Sequence, residues 1–134
     1  MRYFVNTLSR AHVQDGVAGG FTQADHGKNW RLKRLSKGDR IVFYSPRTDQ
    51  RFTAIGEVID EAPFEVDAAW RRQMKFFAAG EVPIQPLIEQ LEFIRNKKSW
   101  GVVFRRGFFE IGESDFQKIE AAMSPTSSAS TVPA

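Results

Sequence analysis

The apolar residues of this chain come in short runs rich in β-branched and aromatic side chains, each broken within a few positions by glycine, proline or charge. Runs of that length and content suit strands better than long helices. Arg2–Thr7, Arg40–Ser45, Arg51–Ile59, Trp70–Phe77 and Trp100–Phe104 therefore read as strands, with Phe108–Ile111 a short partner strand. Trp70–Phe77 alternates imperfectly and fits helix as well as strand. Strand is preferred, because a closed or nearly closed sheet needs a member there. The helices between these runs are short, which favours a mixed α/β domain built on one curved sheet over a doubly wound one.

Read in order, Ser9 caps a short helix that runs to about Asp15, with Val13 and Val17 facing inward. Gly16, Gly19 and Gly20 then loosen the chain, and Phe21–Asp25 is a loop whose aromatic residue is either a lid on the core or a stacking platform. Trp30, Leu32 and Leu35 suggest a short amphipathic helix with Lys28, Arg31, Lys33 and Arg34 on its other face, ended by Gly38. Pro46 stops the next strand, since it lacks the N–H a ladder requires. The run Arg47–Gln50 is a turn that makes a hairpin with the following strand, in which Gly56 marks a bulge or a close approach of backbone. Asp60–Asp67 is acidic, contains Pro63 and reads as loop or a fraying edge.

Further on, Pro86 suits the first turn of a helix that carries Leu87, Ile88 and Leu91 inward. Arg95–Lys98 is a basic turn, and Arg105–Gly107 another. Ser114 to Gln117 matches a capping box, and Phe116, Ile119 and Met123 fall on one face of the helix it begins. The domain is thus assigned to residues 1–123. Residues 124–134, which are Ser, Thr, Pro, Ala and one Val, are too polar to bury and are expected to be disordered.

The chemistry is as much in what is missing as in what is present. There is no cysteine, which removes disulfides, thiolate metal sites and thiol nucleophiles, and suits a reducing cytoplasm. His12 and His26 are the two histidines, and neither accompanies a Gly-x-Ser-x-Gly turn. His12 reads as a packing or surface residue, and one histidine at position 26 is far short of a metal site. No phosphate-binding Gly-x-x-x-x-Gly-Lys occurs. No catalytic residue, metal or cofactor is assigned, and no run of about 18 apolar residues suggests a membrane span. A soluble cytoplasmic protein is expected.

What remains is basic and aromatic. The net charge is only +3, but Lys28 to Arg51 holds eight Lys or Arg against two Asp, an asymmetry that favours a polyanionic partner. Phe21, Trp30, Tyr44, Trp70 and Trp100 alternate along the chain with Arg71, Arg72, Arg105 and Arg106. Rings that stack a base beside cations that hold phosphate are what nucleic-acid recognition needs, although most rings in any such set are core.

These residues resemble a known family. Tyr3-Phe-Val-Asn-Thr7, His26-Gly-Lys28 with Leu35 and Gly38-Asp39, Tyr44-Ser45-Pro46, and the block from Leu91 to Trp100 are similar in order and spacing to the EVE domain. The match continues through Phe104-Arg105, Gly107, Phe108 and Ile111 to Asp115-Phe116 and Ile119. The EVE domain is a member of the PUA-like superfamily and a relative of the YTH domains that read methylated RNA. The resemblance implies a PUA-like curved β-barrel of about five to six strands flanked by short helices, with a pocket for a flipped, modified base. It places Asn6, Thr7, Phe21, His26, Tyr44, Ser45, Trp70 and Trp100 around the base, and Lys28, Arg105 and Arg106 on phosphate. YTH-like relatives carry tryptophan near the position of Phe21. The function so implied is a non-enzymatic reader of a modified base in DNA or RNA, with no membrane partner. The alternative is a PUA-like hydrolase of modified nucleosides that uses Lys28 or His26 with a nearby acid.

Overall fold

The computed structural model describes residues 1–24 and 28–124, so His26 and the segment from Pro125 onward lie outside the described residues. In chain order the elements are β1 (Tyr3–Thr7), α1 (Arg10–Gly19), β2 (Phe21–Thr22), β3 (Arg40–Ser45), β4 (Arg51–Val58), β5 (Phe64–Val66), β6 (Ala69–Phe76), β7 (Val82–Pro83), β8 (Phe108–Ile111) and α2 (Glu113–Met123). Short 3₁₀ segments at Leu32–Arg34, Gln85–Leu87 and Trp100–Arg106 join them.

Among the described residues eight strands form one mixed sheet, with main order β2-β6-β4-β3-β1-β8. β3 is central, and its run Ile41–Tyr44 is buried on both faces, which is why it is continuously apolar rather than alternating. β1 runs parallel to it; the neighbouring ladders β3–β4, β4–β6 and β1–β8 are antiparallel.

Period-two alternation assigns the strands' side chains to two cores. Val5, Val42 and Tyr44 pack with Leu87, Leu91, Phe104 and the α2 residues Phe116, Ile119 and Met123. Phe4, Ile41 and Phe43 face the other way, onto Val13 of α1 with Leu32 and Leu35. The inward faces expected for α2 and for the Pro86 segment are those observed.

The sheet is open, not a closed barrel: β2 and β8 end its main path, and among the described residues no ladder joins them. β4 pairs with β6 at Gly56–Val58 and with β7 at Arg51–Phe52, so the sheet forks there instead of continuing round. Moreover, Trp100–Phe104, expected as a strand, is 3₁₀ helix. It buries Phe104 and half-buries Trp100 and Val103 while Val102 is 51% exposed, a helical rather than a two-residue period, and β8 takes β1 as partner instead.

Other local expectations change for identifiable reasons. The first helix continues to Gly19, where Val17 is exposed, and Phe21–Thr22 is strand instead of loop because it finds β6 as a partner. The helix expected near Trp30–Leu35 shrinks to Leu32–Arg34, with Trp30 52% exposed, while Gly38 serves a later turn at φ +95°. Of the two readings of Asp60–Asp67, the edge holds at Phe64–Val66, where β5 pairs with β6. Gly56 is a close approach, not a bulge: a Cβ there would lie 2.6 Å from the Lys75 carbonyl oxygen, whereas the register shift falls between Phe43 and Tyr44. The capping box is not formed. Gly112 is the N-cap of α2, and Gln117 donates to Glu113 at 3.2 Å instead.

Candidate functional site

The parallel pairing of β1 with β3 brings the C-terminal ends of both strands to one edge of the sheet. The chain leaving β1 at Leu8–Ser9 and the chain leaving β3 at Pro46–Asp49 therefore emerge side by side. β8 is antiparallel to β1, with Phe108 opposite Asn6, so Arg105–Gly107 arrives at the same edge. Two backbone bonds hold these pieces: Thr7 N–H donates to Gly107 O at 2.7 Å, and Leu8 N–H to Tyr44 O at 3.0 Å. Between them and β2 lies a cleft of about 940 Å³.

The base of the cleft is polar and fixed. Asn6 is 2% exposed, and its amide donates to Gln23 O at 2.8 Å and Thr22 Oγ1 at 3.2 Å, tying the end of β1 to β2. Those two contacts fix the orientation of the side-chain amide. Thr7 Oγ1, next along the strand, is buried without a hydrogen-bond partner.

One wall is a stacked pair. Phe21 is opposite Gln73 across the β2–β6 ladder, so Arg71, two residues from Gln73, is its diagonal neighbour on the same face. The Arg71 guanidinium carbon lies 3.8 Å from the Phe21 ring centroid, and the Arg71 Nε is buried with no hydrogen-bond partner. Space for the ring comes from α1: a Cβ on Gly19 would lie 2.6 Å from it, and one on Gly16 would lie 2.4 Å from the Phe21 carbonyl oxygen.

The rim is cationic. Arg31, Arg47, Arg71, Arg105 and Arg106 line the cleft against Asp15 and Asp49. Asp49 is already engaged by Arg10 Nε at 2.9 Å, and Arg10 also pairs with Glu81, so both acids raise the pKa of its guanidinium, Glu81 the more strongly. Arg31 donates to Arg106 O at 2.9 Å, and its guanidinium lies 4.8 Å from the Trp30 ring centroid.

Behind the rim, the fully buried Arg72 braces the segment that carries Arg31. It donates to Leu32 O at 2.8 Å, Leu35 O at 2.5 Å, Asp60 Oδ1 at 2.6 Å and Asp60 O at 2.8 Å. Among the described residues no three His, Cys, Asp or Glu side chains gather as metal ligands.

Of the residues the sequence places around a base, Asn6, Thr7 and Phe21 line the cleft, and so do Arg105 and Arg106. Tyr44, Ser45, Trp70 and Trp100 do not. Tyr44 shares its face of β3 with Val42 and stacks on Phe104, its phenol pushed up to about pKa 12 by burial. Ser45 is fully buried against the Thr53 hydroxyl at 2.9 Å. Trp70 packs on the core that contains Phe4, and Trp100 meets Phe104 edge-on at 6.5 Å. Lys28 is exposed and away from the cleft lining, and His26 is outside the described residues. Among the described lining residues Phe21 supplies the one phenyl, phenol or indole ring, so an aromatic cage is not assembled from these tryptophans and Tyr44. Arg31, Arg47 and Arg71 are additions. Arg71 belongs to the basic and aromatic set of the sequence, but only its register on β6 singles it out from Arg72.

The EVE domain model matches residues 2–122. A UPF0310 protein of Mycolicibacterium vanbaalenii is 47% identical over 135 residues, covering 92% of this chain and 93% of its own. The fold is similar to that of the YTH domain of Zygosaccharomyces rouxii MRB1 in complex with N6-methyladenosine RNA, with TM-score 0.70, 18% identity, and coverage of 90% of this chain and 85% of that one. It is also similar to an ASCH protein of Zymomonas mobilis, with TM-score 0.58, 11% identity, and coverage of 92% and 97%.

Proposed function

The chain belongs to the EVE domain family, and from that premise we propose that it is a nucleic-acid-binding module which takes a modified base of DNA or RNA into the cleft at the ends of β1 and β3. The observation that carries the reading is the pairing of a polar base, Asn6 and Thr7, with a rim of five arginines in one cleft. Rim guanidiniums suit phosphate oxygens, and a buried acceptor and hydroxyl suit the edge of a base. The YTH neighbour, whose complex holds N6-methyladenosine RNA, supports this by likeness of fold.

Magnitudes assign the selectivity. Burying one methyl group contributes about 0.8 kcal/mol, roughly fourfold in affinity, too little for a reader. Discrimination falls to groups that an unmodified base leaves unpaired or cannot fit, and Asn6 and Thr7 are those groups.

A second reading, hydrolysis of modified nucleosides, is favoured by the ASCH likeness and by His12 and Asp15, which lie three residues apart on α1 and both line the cleft. Lys28, the base that reading first suggested, is not among the lining residues.

The test is binding to an array of modified and unmodified DNA and RNA oligonucleotides over a range of salt. Arg106→Ala should weaken all bound strands about equally and lower the slope of log K against log salt by about 0.7–0.9, the loss of one phosphate contact. No salt-dependent binding to any strand would overturn the proposal. Turnover of acylated nucleosides would support the hydrolase.

A further inference from the structure

Phe21 is the aromatic ring of the cleft, yet its face is already occupied by Arg71 at 3.8 Å. One edge of the ring is packed by Gly19, where even a methyl group would approach Cε1 to within 2.6 Å. Phe21 therefore lies beneath Arg71, and Arg71 lines the cleft. A guanidinium whose carbon sits 3.8 Å over a ring centroid is a planar cation that can offer a second face, and nucleobases stack on such planes as they do on aromatic rings.

We propose that Arg71 is the platform on which the bound base stacks, with Phe21 beneath it as a support that does not itself touch the ligand. This rests on the nucleic-acid reading above and deepens it: the pocket uses a cation–π layer where an aromatic cage was expected, so planarity at position 71, and not charge alone, determines the response to a base.

The experiment uses short single strands that carry N6-methyladenine, 5-methylcytosine or an abasic sugar at one central position. Wild-type protein should bind at least one base-bearing strand about tenfold more tightly than the abasic strand. Arg71→Lys keeps the charge but not the plane, and should bring that ratio close to one while leaving the salt slope unchanged. Phe21→Leu removes the support and should lower the same ratio, with thermal unfolding confirming that each variant is folded. A ratio that survives in both variants overturns the proposal. So does an Arg71→Lys protein indistinguishable from wild type alongside an Arg71→Ala protein that weakens every strand equally with a shallower slope, since Arg71 would then be a phosphate contact. If wild-type protein binds no strand, the nucleic-acid reading itself falls. If it binds all strands but does not distinguish base from abasic sugar, the base pocket falls while phosphate binding stands.

Discussion

The rings of Tyr44 and Phe104 are stacked, with centroids 4.0 Å apart and planes 20° apart, which places the aromatic end of β3 in the core beside α2 and not in the cleft. Burial raises the Tyr44 phenol to about pKa 12, because an ionised oxygen there would lose its hydration. A raised folded-state pKa makes a contribution to stability that is complete below the unfolded value near 10 and is lost as pH rises through the folded value. Wild-type protein should therefore lose about 1.4 kcal/mol per unit between pH 10 and 12 on account of this group, and Tyr44→Phe should not. Denaturant unfolding of both proteins across that range checks it: parallel pH curves would show that Tyr44 does not titrate as buried.

Trp100 meets the same phenylalanine edge-on and is only partly buried. Trp100→Ala should cost about 2–3 kcal/mol, below the range for a fully buried tryptophan, and should leave any preference among oligonucleotides intact. Unfolding and binding measured on the same variant decide this. A stable variant that has lost its preference would return Trp100 to the site.

Arg72 is buried with four donors engaged, and Asp60 is its one acidic partner among the described residues. Removing either member leaves a poorly hydrated charge, so Arg72→Met and Asp60→Ala should each destabilise by about 3–5 kcal/mol. Arg72→Lys should rescue little, since one ammonium cannot reach the Leu32 and Leu35 carbonyls and both Asp60 oxygens together. Urea midpoints at low and high salt provide the check, because a pair this buried should respond weakly to screening.

Gly16 and Gly19 both face Phe21 but predict different outcomes. A methyl group on Gly16 meets the Phe21 carbonyl oxygen at 2.4 Å, backbone that cannot move without breaking β2 from β6, so Gly16→Ala should cost about 1–3 kcal/mol. On Gly19 the obstacle is the ring of Phe21, a side chain that rotates, and alanine gains about 1 kcal/mol of helix propensity. Gly19→Ala should be nearly neutral in melting temperature yet shift the NMR signals of the Phe21 ring and the Arg71 side chain. Equal destabilisation by the two changes would contradict the contact geometry.

Much of the molecule follows from residue order. β-branched and aromatic content places β1, β3, β4 and β8, and helical spacing the buried face of α2, whereas β6, which fits helix as well, is settled by its pairing with β4. The basic and aromatic content is legible in the residues themselves, while Asn6, Thr7, Phe21, Arg105 and Arg106, which line one cleft, are grouped through the resemblance to the EVE domain. What the chain could not announce is which ring faces which side. Tyr44, Trp70 and Trp100 are as suited to stack a base as to fill a core, and only packing against Phe104 and the Phe4 layer resolves it. Trp100–Phe104 is β-branched and aromatic enough for a strand, but β1 already had β8 as its edge partner. Arg71 and Arg72 make the division plainest. They are adjacent and chemically identical, and the β2–β6 register sets Arg72 opposite Thr22 in the interior and leaves Arg71 over Phe21 in the cleft. A strand's period is two, so a shift of one residue would exchange their roles, and that register is decided by the partner strand and not by the arginines themselves.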